Sequence, residues 1–312
     1  MSVDREVRAF APASVSNVSC GYDIFGFAVD APGDEVVVRF TDDHEGAKIV
    51  SITGDGGKLP KDAEKNTASV AANALLKHIG RKKGVAIVLH KKMPLGSGLG
   101  SSAASAVASV VAVNELLGNP LKKIELLPFV LEGERVACGS AHADNAAPSL
   151  LGGFVLVRSY DPLDVVQISV PENLFCAVVH PHMEIPTEKA RGILRKELSI
   201  KDMVTQCGNV AGLTVGLMTG DFALIGRSLY DAVVEPQRSV LIPGFEEVRA
   251  SAMNAGALGC GISGAGPSLY ALTTSLEKSN RIVEAMRQCW EAMDVRSDGY
   301  SSVINHKGAH CI

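Results

Sequence analysis

The run Met93-Pro-Leu-Gly-Ser-Gly-Leu-Gly-Ser-Ser-Ala-Ala104 constrains this chain more than any other segment. Upstream, Val85 to His90 predicts a short buried strand; downstream, Ser101 to Leu117 is Ala-rich, free of Gly and Pro, and predicts a helix. Between them Gly96, Gly98 and Gly100 make a loop with little side-chain bulk. Glycine adopts φ > 0 and lets a ligand approach the backbone. Successive N–H groups and the helix N-terminus then face one point, with ~0.3–1 kcal/mol of dipole help for each nearby negative charge. Strand, glycine loop and helix together describe a phosphate cradle.

The spacing narrows the kind of cradle. A Walker A loop needs a lysine after its last glycine, and here Ser101 follows Gly100. The dinucleotide fingerprint is G-x-G-x-x-G, whereas Gly96, Gly98 and Gly100 give G-x-G-x-G. The H-R-D and D-F-G landmarks of protein kinases are absent from the sequence. A glycine hinge before a core helix is the plain alternative.

At 312 residues the chain exceeds one ordinary hydrophobic core, so two domains are expected. A net charge of −4, without any Lys- or Arg-rich tract, argues against a nucleic-acid partner. No apolar run is long enough to span a bilayer, and the first residues lack the apolar core of a leader peptide. Seven cysteines (Cys20, Cys138, Cys176, Cys207, Cys260, Cys289 and Cys311) are scattered singly, as suits free thiols in a reducing cytosol. A cytoplasmic protein is expected. His180 and His182 form an H-x-H with no third ligand nearby, so a strand end is the better reading than a metal site.

Glu35 to Phe40 and Ala47 to Ile52 alternate as strands. Helices are expected over Asn66 to Ile79 and Lys122 to Cys138, and a strand over Phe154 to Arg158. Turn-forming residues from Ser159 to Asp164 mark a boundary, dividing the chain into an N-terminal domain, 1–163, and a C-terminal one, 164–312. Beyond it, strands are expected at Phe175 to His180, Ser268 to Thr273 and Gly299 to Asn305. Helices are expected at Thr187 to Leu198, Lys201 to Met218, Phe222 to Ala232, Phe245 to Ala255 and Leu276 to Ala292. Strands and helices interleave without strict βαβ periodicity, so the fold class is α+β rather than a doubly wound sheet.

Four further segments carry polar groups in patterns that a core does not need. Ala11 to Gly26 is rich in turn formers and by itself reads as a surface loop, the alternative being a substrate-facing loop with Asn17 and Asp23 as polar anchors. Glu134 precedes Gly139 to Gly153, where His142, Asp144 and Asn145 sit together in what reads as a loop against a ligand. A hydrolase triad can be read into Ser140, His142 and Asp144, but that spacing defines no triad and no G-x-S-x-G elbow is present. Thr187 and Arg191 stand one turn apart at a helix start, and Arg238 supplies a second guanidinium. Two arginines can hold one carboxylate through planar, charge-assisted bonds. Last, Gly259 to Ser268 is a second glycine-rich loop, suited to close approach of another backbone or a ligand.

The pattern from Pro94 to Ala104 resembles the central motif of the GHMP small-molecule kinases, a family that includes galactokinase and mevalonate kinase. Pro12-Ala-Ser-x-x-Asn17-x-x-x-Gly21-x-Asp23, His142-Ala-Asp-Asn-x-Ala-Pro148 and Gly261-Ile-Ser-Gly-Ala-Gly-Pro-Ser268 are similar to the branch of that family that phosphorylates L-homoserine. The resemblance covers nearly the whole chain. It implies an N-terminal domain with a left-handed βαβ crossover, against the usual rule. It also implies a C-terminal ferredoxin-like domain, whose last strand can return to the first, with the site in the groove between them.

The implied reaction is transfer of the ATP γ-phosphoryl group to the hydroxyl of L-homoserine, giving O-phospho-L-homoserine on the way to threonine. By the same resemblance the triphosphate lies along Pro94, Leu95, Gly96, Ser97, Gly98, Leu99, Gly100, Ser101, Ser102, Ala103 and Ala104. Asn66 would meet the adenine, and Gly261, Gly264 and Gly266 would form a supporting loop. Ser102 and Glu134 would sit at Mg2+. Asn17, Asp23, His142, Asp144, Asn145, Thr187, Arg191 and Arg238 would line the amino-acid pocket, with Asp23 facing the ammonium and the arginines the carboxylate. Asn145, Glu134, Ser102 and Thr187 are the expected catalytic set.

Mevalonate-type relatives carry an aspartate a few residues before their Gly-Gly as a proposed base. Counting back from Gly152, that place falls at Asn145, which cannot accept a proton. Asp144 is adjacent, and in an extended loop it would point elsewhere. Phosphoryl transfer depends mainly on positioning and charge stabilisation, so a dedicated base is not required. Two alternatives stay open: a GHMP kinase with another acceptor, and a non-catalytic nucleotide-binding relative. Asp23 with Arg191 and Arg238 speak against the first, and Ser102 with Glu134 against the second. No nucleic-acid or membrane partner is expected, and a homodimer is left open.

Overall fold

The computed structural model describes residues 5–139 and 141–312. Ser140, the first residue of the triad considered above, and the residues read for a leader at 1–4 lie outside the described residues, as does the side chain of Cys138. The first half runs β1 (Glu6–Ser16), β2 (Phe25–Thr41), β3 (Ala47–Thr53), α1 (Thr67–Ile79), β4 (Gly84–His90), α2 (Ser101–Leu116), α3 (Leu127–Cys138), α4 (Ala143–Leu151), β5 (Phe154–Tyr160) and β6 (Leu163–Ile168). The second half begins β7 (Phe175–Pro181), α5 (Thr187–Gly192), α6 (Ile200–Thr219), α7 (Phe222–Ser228), α8 (Glu235–Arg238) and α9 (Phe245–Asn254). It ends β8 (Gly259–Ile262), β9 (Leu269–Thr273), α10 (Leu276–Glu291), β10 (Ser297–Val303) and β11 (His310–Cys311).

Helix α2 organises the first domain. Its residues are mostly Ala, Ser and Val and nearly all are buried, as expected of a helix that is apolar all round. The small side chains let β1, β2, α1 and α3 pack against it on every side. Helix α1 starts at a proper cap, the Asn66 side chain accepting the Ala68 N–H, and stops at Gly80 in the left-handed conformation. Strands β11, β1, β2, β4 and β3 lie side by side in that order, with β5 on β2 and β6 on β5. The β3–β4 pair is parallel and joined through α1 as a βαβ unit.

The second sheet runs β10, β7, β9, β8, antiparallel throughout. Counted within that domain the order is fourth, first, third, second, with helices in the two crossovers, which is a ferredoxin-like arrangement. Two buried clusters result: one fills the first domain and reaches Tyr270 and Leu272 of β9, the other surrounds Trp290 and Phe245. Phe27 meets Tyr270 edge-on with ring centroids 6.0 Å apart, tying one sheet to the other.

Several expectations need correction. Ala11, Ala13 and Val15 are fully buried in β1, which extends to Ser16, so the expected surface loop shrinks to residues 17–24. A strand covered on both faces shows no alternation, and small residues there mimic loop composition. The Gly139–Gly153 segment is not a loop but holds α4, with Pro148 inside the helix; the proline masked it. Helix α5 ends at Gly192 rather than Leu198, α7 ends at Ser228 rather than Ala232, and a 3-10 turn over Lys123–Leu126 precedes α3. The turn at Ser159–Asp164 is the tip of the β5–β6 hairpin, so the first sheet continues to Ile168, past the expected division at 163/164. Strand β11 returns to pair with β1. Among the described residues no helix is long and apolar enough to cross a membrane, and six cysteines are free thiols.

Candidate active site

A cleft of about 460 Å³ opens between the two domains. It gathers Asn17, Asp23, Asn66, Leu95, Gly96, Ser97, Gly98, Gly100, Ser101, Ser102, Glu134, His142, Asp144, Asn145, Thr187, Arg191, Arg238 and Gly264. Pro94, Leu99, Ala103, Ala104, Gly261 and Gly266 are not among its lining residues. Leu99, Ala103 and Ala104 are fully buried, their side chains anchoring the loop and α2 to the core.

Gly96, Gly98 and Gly100 all take positive φ, at 61°, 77° and 67°. Gly100 caps α2 without a side-chain hydrogen bond. The first N–H groups of the helix therefore stand uncapped beside the cleft, the arrangement that receives anions. Gly98 has a packing reason of its own. A Cβ there would overlap the Ser263 carbonyl oxygen and lie 2.8 Å from that of Gly266. The packing of the second glycine loop by itself demands this glycine. The two loops are laced together, Ser263 Oγ donating to the Gly98 carbonyl (2.8 Å) and the Ser268 N–H to that of Ser97 (3.2 Å), while the Gly264 N–H donates to the Ser16 carbonyl at the end of β1 (3.0 Å). Asn66 lines the cleft with its amide bonded to backbone groups. Its Oδ1 accepts from the Ala68 N–H (3.0 Å) and its Nδ2 donates to the Pro60 carbonyl (2.8 Å), so it shapes the Leu59–Pro60 wall of the cleft.

Glu134 on α3 and Asp144 on α4 reach the cleft buried, and Glu134 Oε1 and Asp144 Oδ1 have no hydrogen-bond partner. An extended loop would have aimed Asp144 elsewhere; the helix places it on the cleft wall. Burial pushes the Glu134 carboxyl up to about 7, the Ser102 hydroxyl counters that, and the Asp144 charge adds to it. Burial likewise pushes Asp144 up to about 7, with Asp23 adding and Arg191 opposing. His142 Nδ1 stands 3.9 Å from Glu134 Oε2, and burial lowers the His142 pKa, so a neutral imidazole faces the carboxyl. Two buried carboxyl oxygens without partners and one hydroxyl make a hard-oxygen set that fits Mg2+, which takes one or two carboxylates and completes its shell with water and phosphate.

Arg191 grips Asp23 with two bonds, Nη2–Oδ1 at 2.6 Å and Nη1–Oδ2 at 3.2 Å, and Nη1 also donates to the Tyr22 hydroxyl at 2.9 Å. Arg238 is buried and donates Nε to the Ala190 carbonyl (3.1 Å) and Nη1 to that of Gly264 (2.9 Å). Asn17 is committed to the backbone: Nδ2 donates to Gly264 (2.7 Å) and Oδ1 accepts from the Asp23 N–H (2.9 Å). It holds the loop rather than offering a free anchor. Asn145 Oδ1 accepts from Ser14 Oγ at 2.9 Å. Thr187 is the first residue of α5.

Lys91, which no sequence motif marks, also lines the cleft. Its ammonium is buried, pairs with Asp34, and donates to Ser101 Oγ (2.6 Å), the Ser101 carbonyl (2.8 Å) and Ser105 Oγ (2.9 Å). Asp34 accepts in addition from the Lys92 N–H (3.0 Å) and Ser105 Oγ (2.9 Å). The pair therefore joins the exit from β4 to the start of α2. Lys91-Lys92 reads as solvated charge, and only a search for a buried partner would have singled it out. The H-x-H pair holds no metal geometry: His180 turns to Ser268 Oγ (3.0 Å) and is held down to about 4 by burial, while His182 faces Asp298 (3.0 Å). Among the described residues no cluster of His, Cys, Asp and Glu has metal-holding size.

Residues 66–153 match the model of the GHMP kinases N terminal domain, and residues 213–292 match GHMP kinases C terminal. The homoserine kinase of Chlorobium phaeovibrioides is 52% identical, over 99% of this chain and 100% of its own length. That of Pyrococcus abyssi is 39% identical, over 93% of this chain and 95% of its own. The crystal structure of homoserine kinase from Cytophaga hutchinsonii superposes with a TM-score of 0.97 at 56% identity, covering 100% of this chain and 99% of that one. Mevalonate kinase of L. major shares the fold, with a TM-score of 0.73 at 17% identity over 95% of each chain.

Proposed function

The chain belongs to the GHMP kinase family, with its mixed α+β two-domain fold, and on that premise we propose that it transfers the γ-phosphoryl group of ATP to the hydroxyl of L-homoserine. One observation carries this reading: a single cleft joins an uncapped glycine loop, two buried acids with partnerless oxygens, and an Asp23–Arg191–Arg238 set suited to a zwitterion. The full-length homoserine kinase relatives support the same acceptor. The free thiols among the described residues suit a reducing cytosol, which we take as the compartment.

In this reading Ser102 and Glu134 would hold Mg2+ beside Asp144, and the bound ion supplies positive charge against the phosphates. The N–H groups of Gly96 to Gly100 and of the first turn of α2 bind phosphate oxygens. Asp23 takes the acceptor's ammonium, and Arg191 with Arg238 its carboxylate. Thr187 and Asn145 orient the hydroxyl for in-line attack, with Ser14 fixing the Asn145 rotamer. Lys91 keeps the loop and α2 in register from beneath. Positioning and charge supply the rate, because the transition state is loose and asks little of a base.

A coupled ADP-release assay with L-homoserine, mevalonate and galactose as acceptors tests the proposal. Turnover is expected with L-homoserine alone; turnover with another acceptor and none with L-homoserine would overturn it.

A further inference from the structure

We propose that Tyr22 is a positioning residue whose ring and hydroxyl hold Arg191 and Arg238 together as one receptor for the acceptor's carboxylate. The inference rests on the functional reading above and deepens it at the specificity end of the cleft. The two arginines come from different elements, α5 and α8, and nothing in their local sequence sets the distance between them. Like charges brought to one point repel, so a template is required. Both guanidinium groups lie against the same aromatic ring, with Arg191 Cζ 5.5 Å and Arg238 Cζ 5.0 Å from the Tyr22 centroid. The negative face of an aromatic ring attracts each cation and offsets their mutual repulsion.

The hydroxyl adds direction. Arg191 Nη1 donates to it at 2.9 Å, a third bond that ties the guanidinium to Tyr22 as well as to Asp23. Burial raises the Tyr22 pKa, with Asp23 adding and the two arginines countering, so the phenol stays protonated at neutral pH.

The ring itself has a fixed base. Its loop is closed by the Gly21 N–H on Val18 (3.1 Å) and the Phe25 N–H on Gly21 (2.9 Å). It is held from outside by Tyr160 on the Asp23 carbonyl (3.0 Å) and Gln206 on the Cys20 carbonyl (3.0 Å). Arg238 is clamped in turn by its bonds to Ala190 and Gly264. A ring on a braced loop, between two guanidinium groups each held by further bonds, is a device for setting spacing.

The test compares the parent with Tyr22→Phe and Tyr22→Leu, using L-homoserine and 3-aminopropan-1-ol, which is the same acceptor without its carboxylate. Tyr22→Leu is expected to raise the L-homoserine KM at least about tenfold, with kcat and the ATP KM nearly unchanged. Its preference for L-homoserine over the amino alcohol should fall by the same factor. Tyr22→Phe, which keeps the ring, should recover most of that preference and show only about a threefold rise in KM from the lost hydroxyl bond. An unchanged preference in Tyr22→Leu, or an equal loss for both acceptors, overturns the proposal. If Tyr22→Leu does not fold, an unchanged KM in Tyr22→Phe overturns it. A parent that turns over neither acceptor overturns the functional reading itself, a separate result.

Discussion

Arg191 and Asp23, on opposite sides of the domain division, bind each other through two hydrogen bonds of 2.6 and 3.2 Å. One carries the charge suited to a carboxylate, the other the charge suited to an ammonium. The pair thus presents to itself the two charges of an amino acid, and in the proposed reading an incoming zwitterion would exchange partners without leaving either group bare. Both side chains are about a third exposed (33% and 31%), so water screens the existing bridge and keeps that exchange shallow.

Arg191→Lys retains the charge and loses the planar fork. A charged hydrogen bond contributes roughly 1.5–3 kcal/mol, so the L-homoserine KM should rise roughly ten- to over a hundredfold. Steady-state kinetics with each substrate varied checks this, and the ATP KM should barely move. A selective rise in the ATP KM would put Arg191 at the phosphates instead.

Gly98→Ala pushes a Cβ into the backbone of the second glycine loop at a φ of 77°. Overpacking costs roughly 1–3 kcal/mol, and the left-handed backbone adds about 1 kcal/mol. Gly96→Ala bears a similar φ of 61°, but its Cβ meets only the Glu184 side chain at an ordinary 3.4 Å. The first variant should therefore melt at a clearly lower temperature than the second. Equal melting temperatures would mean that the loops are not held to each other as described.

Lys91→Met leaves the Asp34 carboxylate buried without its cation, since the paired side chains are 2% and 0% exposed. Breaking one half of a buried pair costs roughly 3–5 kcal/mol. Denaturant unfolding should show that loss, and Lys91→Met combined with Asp34→Asn should recover part of it. Single and double variants of equal stability would show that the two side chains are not coupled.

Glu134→Gln should lower kcat at least about a hundredfold while changing the L-homoserine KM little, as expected for a group that stabilises transition-state charge. Its effect on stability has the opposite sign. The folded protein holds the Glu134 proton up to about 7, from an ordinary value of 4.5. Between those values the native state binds more protons than the unfolded chain, so this carboxyl's contribution falls as pH rises through that window and is flat above it. Without added Mg2+ the variant should melt above the parent at pH 8, with the gap closing at pH 5. A gap that is constant with pH would contradict the raised pKa.

In the proposed reading Mg2+ competes with a proton for Glu134, whose carboxyl is pushed up to about 7 with the Asp144 charge adding to the shift. The acid limb of the kcat/KM profile should therefore move to lower pH as Mg2+ is increased. In Asp144→Asn a limb from Glu134 should persist, with substantial kcat. A limb that ignores Mg2+, and that disappears in Asp144→Asn along with nearly all of kcat, would make Asp144 a general base and the positioning mechanism wrong.

What the sequence by itself determined is local. Apolar Val85–His90, the alternate glycines and the Ala-rich Ser101–Leu116 specify strand, positive-φ loop and helix because φ preference and hydrophobic period act over a few residues. The polar groups of Asp23, Glu134, Asp144, Arg191 and Arg238 were legible as chemistry, and all of them line the same cleft. Their partners were not legible, because a partner is chosen by packing between elements far apart in the chain. Asn17 and Asn66 spend their amides on backbone groups, and Lys91 finds Asp34 only when β2 and β4 pair. Gly98 answers to Ser263 across the domain junction, and β1 hides its alternation because both of its faces are covered. Asp144 reaches the cleft only because α4 forms despite Pro148. Local preference cannot report these outcomes, since each depends on which surfaces meet once two cores have closed against each other.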